Sequence, residues 1–224
     1  MRVLHIIPLA FNYFNDIARV AFKMAEGLEE AGVNVDIITL QYTKPTREQQ
    51  AQVAEAAPSR EYKYVEQQPV ERVVESVKEE DFQLVHLHCP FFGAGNDWLR
   101  FKKENPEFPL VVTYHRDFAL TDFFSLYVKM YNRYYAPRFF SVADVVTSLN
   151  FESFYHTLGY KYLKNKEKFI SLLPNTETHL KVGTTDTTQG RGAMQLLENK
   201  ENFVSATETL LGIYGKLIEG YRLV

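Results

Sequence analysis

Short runs of aliphatic and β-branched residues, each separated from the next by a stretch with helical spacing, recur along this chain and constrain its fold more than any other feature. Arg2 to Ile7 (RVLHII) is such a run, ending at Pro8, and Val33 to Leu40 (VNVDIITL) is the next. Gln83 to His88 (QLVHLH), Leu110 to Tyr114 (LVVTY), Val145 to Ser148 and Phe169 to Leu173 follow, with a weaker candidate at Tyr62 to Val65. Runs of this length that are apolar on both faces are strands covered on both sides, and their alternation with helices predicts a parallel sheet. The first intervening helix is the clearest. From Asp16 to Ala31 it places Ile17, Val20, Ala21, Met24, Ala25 and Leu28 at three- and four-residue intervals, with Asn15 or Asp16 to cap it and Gly32 to end it. A second helix is expected from Val70 to Glu80. The fold class predicted is α/β: a doubly wound, mostly parallel, Rossmann-like sheet of about seven strands.

The pattern breaks after Pro174. Residues 182 to 192 (VGTTDTTQGRG) are rich in Thr and Gly and carry no apolar period, as in a linker. Beyond them Leu210, Ile213, Tyr214, Leu217, Ile218 and Tyr221 form one stripe of an amphipathic helix, in spite of Gly212 and Gly215, each costing about 1 kcal/mol relative to Ala. The organisation expected is therefore a Rossmann-like domain over residues 1–180, a linker over 181–201 and a helix over 202–224 that packs back on the domain.

Composition narrows the function classes. With 46% hydrophobic and 14% aromatic residues, the 224-residue chain has material for a large core. Its net charge of -3 gives no electrostatic reason to bind nucleic acid. A single cysteine, Cys89, forms no intrachain disulfide, no cleavable leader is evident, and no apolar stretch approaches the ~20 residues of a membrane span. A cytoplasmic protein is expected.

In a sheet of this kind ligands settle beyond the carboxyl ends of the strands, which directs attention to Pro8 to Asn15, His88 to Gly95, His115 to Asp117 and Pro174 to Thr176. His86 and His88, as alternate residues of a strand, share one face, but no third ligand stands at a recognisable spacing. No metal is therefore expected, and His88 is assigned a hydrogen-bonded role at the sheet end. His115, Arg116 and Asp117 offer an imidazole, a guanidinium and a carboxylate just past a buried strand, suited to a sugar hydroxyl or a phosphate or, alternatively, to a surface ion pair. Gly93 and Gly95 precede a helix whose free amides suit an anion, although a tight loop would use glycine equally well. Phe123 to Phe140 mixes aromatic rings with Lys129, Arg133 and Arg138. Helical recurrence of Leu126, Met130, Tyr131 and Tyr134 assigns it to packing on the sheet, with an acceptor platform or membrane-surface contact as the other reading.

The ordered series of an opening strand with Pro8, Glu30-Ala31-Gly32-Val33-Asn34-Val35, Leu84-Val85-His86-Leu87-His88, Val111-Val112-Thr113-Tyr114-His115, Ala143-Asp144-Val145-Val146-Thr147-Ser148 and Leu173-Pro174-Asn175 resembles glycosyltransferase family 4 of the GT-B fold, over roughly Met1 to Glu177. The resemblance implies the acceptor-side half of a retaining enzyme that moves a sugar from a nucleotide sugar in a cleft between two Rossmann-like domains. By position, His115 resembles the family histidine that approaches the transferred sugar, and the loop ending at Asn15 and Asp16 resembles the one facing donor phosphates and acceptor. His88, Gly93, Arg116 and Asp117 are the accompanying polar contacts, and Ser148 and Asn175 match the ends of the later motifs.

Three departures stand against this pattern. The usual glycine pair of the first loop is replaced by Phe11-Asn12-Tyr13-Phe14-Asn15, Thr176 follows Asn175 where glycine is usual, and the residues of a nucleotide-sugar domain are not in the sequence. The last helix resembles the carboxyl-terminal helix that in this family crosses back onto the first domain. The implied protein is inactive alone, needs no cofactor beyond a donor held by a second domain or chain, and has as partners that chain, or a second copy of itself, and a sugar or glycolipid acceptor. Peripheral contact with the inner membrane face is compatible with this reading. So are a non-catalytic glycan-binding or structural module and a fragment of a glycosyltransferase.

Overall fold

The computed structural model describes residues 1–9, 15–41, 77, 81–90, 95–117, 123–174 and 195–222. Strands β1 (Arg2–Leu9), β2 (Asn34–Gln41), β3 (Leu84–Cys89), β4 (Leu110–Tyr114), β5 (Val145–Ser148) and β6 (Phe169–Ser171) form a six-stranded sheet in the order β2-β1-β3-β4-β5-β6. Every pairing is parallel. Helices α1 (Asn15–Glu30), α2 (Gly95–Glu104), α3 (Phe123–Val142), α4 (Phe151–Tyr155), α5 (Leu158–Tyr162) and α6 (Lys200–Arg222) accompany it. The chain thus has the expected α/β, Rossmann-like form, with six strands among the described residues. The Tyr62 to Val65 run lies outside them, as does all of Val70 to Glu80 except Val77, which is helical and buried.

Local sequence explains the boundaries. Gly32 adopts φ +85, the left-handed conformation that ends α1, while the amide of Val33 donates to the Leu28 carbonyl at 2.9 Å. β1 does not stop at Pro8 but continues through it to Leu9. Pairing with β3 reaches only Ile6, so the missing N–H of Pro8 falls beyond the stretch of β1 that is bonded on both sides.

The alternation of side chains splits the core in two. Leu4, Ile6, Val85, Leu87, Val112 and Val146 pack beneath Trp98 and Phe101 of α2 and Phe139 and Phe140 of α3. On the other face Val3, Leu84 and Val111 pack beneath Val20, Met24 and Leu28 of α1 and Leu210, Ile213 and Tyr214 of α6. Burying each such aliphatic side chain contributes about 1.5–3 kcal/mol. α6 lies against α1, as its apolar stripe requires. The approach is close: a Cβ on Gly27 would stand 2.3 Å from Thr207 Oγ1 and 2.9 Å from Phe203 Cζ.

α3 departs from expectation. Leu126, Met130 and Tyr134 are exposed, whereas Val128, Asn132, Ala136, Phe139 and Phe140 face inward. The helix is apolar nearly all round, so its sequence holds two competing stripes, and the sheet selects the one ending in the two phenylalanines.

Candidate functional site

A polar row crosses the sheet beneath α6. His5 of β1 is in register with His86 of β3, His88 with Thr113 of β4, and Thr113 with Thr147 of β5. All five side chains are buried, on the face opposite Leu4, Val85 and Val112. Polar groups buried in this way require partners, and each has one. Thr147 and Thr113 hydroxyls lie 2.5 Å apart, and Thr113 Oγ1 lies 2.5 Å from His86 Nε2. His86 Nδ1 meets the Tyr214 hydroxyl of α6 at 2.5 Å, and the same hydroxyl meets His5 Nε2 at 3.0 Å. His5 Nδ1 meets His88 Nε2 at 3.1 Å, and His88 Nδ1 meets His115 Nε2 at 2.9 Å. The row emerges at His115, a partly buried residue whose amide donates to the Cys89 carbonyl at 2.9 Å.

Burial holds His86 and His88 well below the usual imidazole value, and their histidine neighbours add to the effect. His115 is pushed down to about 3 by burial, with the Arg116 guanidinium contributing. Burial raises the Tyr214 phenol and, on the other face, the Cys89 thiol, leaving both protonated.

His5, His86 and His88 each place one donor nitrogen within 4.8 Å of the others, the gathering a metal ion would require. Their orientation suits hydrogen bonding better. The His86 and His88 rings stack at 4.3 Å with an interplanar angle of 24°, so their in-plane lone pairs run side by side rather than converge.

Beside the end of the row, Arg116 is buried and fixed. Its Nε lies 2.7 Å from Asp16 Oδ2, and its second terminal nitrogen donates to Asp16 Oδ1 at 3.0 Å, joining β4 to the first turn of α1. Asp117 turns away from this corner. Its carboxylate accepts from the Tyr114 hydroxyl at 2.8 Å and from the Leu158 amide at 2.8 Å, holding the start of α5. Ser148 ends β5 two residues after Val146, so alternation puts it on the face opposite the histidines. Asn15 opens α1, whereas Gly93 and Asn175 lie outside the described residues. The Gly95 amide donates to the Tyr131 hydroxyl at 2.6 Å, and a Cβ there would stand 2.4 Å from the Tyr135 ring, so this glycine serves close packing.

Sequence reasoning thus placed Asp16, His88, His115 and Arg116, which the fold gathers at one corner, and missed His5 and Tyr214. His5 carried a usable signal: a histidine alternating with Val3 and Ile7 in a run destined for burial must find a partner.

Comparison with known proteins agrees with this architecture. The model of Glycosyltransferase Family 4 matches residues 17–149. No curated protein matches. Among solved structures the chain is similar to MnaA of S. aureus in complex with UDP, at 14% identity and a TM-score of 0.51 over 76% of this chain and 44% of that one. It is also similar to a UDP-GlcNAc 2-epimerase from Neisseria meningitidis bound to UDP-GlcNAc, at 11% identity and a TM-score of 0.51 over 77% of this chain and 46% of that one. An alpha-glucosyltransferase in complex with UDP matches at 13% identity and a TM-score of 0.50, over 79% and 44% respectively. The chain therefore spans less than half the length of these structures.

Proposed function

The chain belongs to glycosyltransferase family 4, and from that premise we propose that it is the acceptor-side half of a retaining glycosyltransferase, the nucleotide-sugar half being supplied by a further domain or a separate chain. The observation that carries this reading is His115: a neutral imidazole at the carboxyl edge of β4, anchored through one nitrogen by His88, beside an Arg116 already balanced by Asp16. Sugar transfer builds positive charge on the sugar ring, as in related glycosidic chemistry. An imidazole kept neutral at the site can bond a sugar hydroxyl without opposing that charge, whereas an imidazolium would oppose it. The UDP and UDP-GlcNAc in the similar structures make a uridine nucleotide sugar the first donor to test.

The acceptor in this reading is a glycolipid at the inner face of a membrane. α3 exposes Phe123 at 85% and Met130 at 63% beside Lys129, Arg133 and Arg138, and carries no carboxylate from end to end. Rings and cations on one face suit a headgroup layer. No helix among the described residues is long and apolar enough to cross a membrane, so contact would be peripheral.

The test is transfer from labelled UDP-sugars to lipid extracts by the complex recovered from the protein's own cells under mild salt. His115→Ala is expected to lower the rate at least about 100-fold without loss of the fold, and an unchanged rate would sink the reading. A glycan-binding module without chemistry is favoured by one observation, the closing of the Gly95 amide by Tyr131. Glycan binding that survives His115→Ala, with no transfer, would select it.

A further inference from the structure

Six contacts link seven side chains from Thr147 to His115, and two arrangements of protons satisfy all six. Each neutral imidazole holds one proton and one lone pair, and each hydroxyl supplies one proton. The Tyr214 hydroxyl stands between two ring nitrogens, His5 Nε2 and His86 Nδ1, so it donates to one and accepts from the other. If it donates to His5, the His5 proton must be on Nδ1 to serve His88, and the His88 proton on Nδ1 to serve His115. His115 then carries its own proton on Nδ1. If the hydroxyl donates to His86, every choice reverses: His86 donates to Thr113, His5 donates to Tyr214, and His115 gives its Nε2 proton to His88. In that case His115 Nδ1 is a bare lone pair. Any mixed arrangement sets two protons or two lone pairs against each other among fully buried groups, leaving both unsatisfied. An extra proton on His86 or His88 offers no escape, because burial disfavours charge there.

His115 Nδ1 makes no hydrogen bond among the described residues, so its state is what the histidine offers to a ligand at the sheet edge. We propose that Tyr214, from the carboxyl-terminal helix, is a positioning residue for His115: through His5 and His88, the direction of its hydroxyl decides whether Nδ1 of His115 is a donor or an acceptor. Docking of α6 on α1 is thereby coupled to the hydrogen-bonding character of a side chain on a different element. The significance for sugar transfer rests on the function proposed above. The coupling itself does not, and it is measurable without any substrate.

The experiment uses the full chain with 15N-labelled histidine. Long-range proton–nitrogen spectra assign a tautomer to each ring, and through-bond couplings between the facing nitrogens of His5 and His88, and of His88 and His115, report the two N–H···N contacts directly. A single tautomer at His115 and both couplings are expected in the wild type. In Tyr214→Phe, which keeps the ring volume, the two nitrogen shifts of His115 are expected to move towards their mean, because neither direction remains preferred. Ile213→Val, which loosens the same helix without touching the row, is expected to leave them in place. Identical His115 nitrogen shifts in wild type and Tyr214→Phe would overturn the proposal. So would averaged tautomers or absent couplings in the wild type, an outcome that does not depend on the variant folding. Loss of glycosyl transfer as the assigned function would leave these spectra unchanged.

Discussion

Buried polar side chains in this fold act through partners from distant stretches of the chain. Lys102 Nζ donates to the carbonyls of Pro106 and Phe108, each at 2.7 Å, and lies 3.0 Å from Asp144 Oδ2, which also accepts the Leu110 amide at 2.8 Å. Asp144 thus ties α2, the entry to β4 and the entry to β5 together, a structural role for the aspartate in the Ala143-Asp144-Val145 series. Removing one partner of a buried pair leaves the other charge uncompensated, so Asp144→Ala is expected to lower stability by about 3–5 kcal/mol in urea denaturation. A loss under about 1 kcal/mol would mean that Lys102 reaches solvent when released. Neither this pair nor the partners within the histidine row could be read from sequence. Lys102 looks like any surface lysine of an amphipathic helix, and the partners of His5 and His86 come from a residue more than a hundred positions away on α6. His115 and Arg116 were legible because both directly follow a strand, and the position past a strand's carboxyl end is set by fold class alone.

Elements were legible to the degree that their sequences held one pattern. α1 has a single apolar stripe, an acidic first turn and Gly32 after it, and its ends fall within a residue of those expected. α3, apolar nearly all round, gave no unique face, and the face chosen by packing is not the one that the recurrence of Leu126, Met130 and Tyr134 suggested. The seat of α6 on α1 depends on an absence, the missing side chain of Gly27. A methyl group there would overlap the Thr207 hydroxyl, which is held by the Phe203 carbonyl at 2.8 Å, and would also press on the Phe203 ring. Alanine would favour the helix itself by about 1 kcal/mol. The overlap is larger in effect, because overpacking costs about 1–3 kcal/mol and the hydrogen bond to the Phe203 carbonyl holds the Thr207 hydroxyl in place. Gly27→Ala is therefore expected to lower the melting temperature and to raise amide exchange in α6 before that in β3 and β4. A variant that melts higher than the wild type would show that α6 moves aside without penalty.

At the scale of the whole molecule the histidine row makes stability a function of pH. His86, His88 and His115 have folded-state values below those of the unfolded chain, near 6.5, and for His115 the folded value is about 3. The unfolded state therefore binds protons that the folded state refuses. Their contribution is fully present above the unfolded value and is lost as pH falls from about 6.5 towards the folded value, with a limiting slope of about 1.4 kcal/mol per pH unit for each histidine. Between pH 7 and pH 5, before most carboxylates titrate, the loss for His115 is about 2 kcal/mol. His86 and His88 are lowered in the same direction and add to that loss. Urea midpoints are accordingly expected to be flat from pH 8 to pH 7 and to fall steeply below pH 6.5, with little rescue by salt, because the cause is desolvation rather than screened repulsion. In His115→Asn the descent should be shallower, since one refusing group is gone. A midpoint independent of pH down to 5 would mean that the rings titrate freely in the native state, and the single-file row of neutral hydrogen bonds would then have to be abandoned.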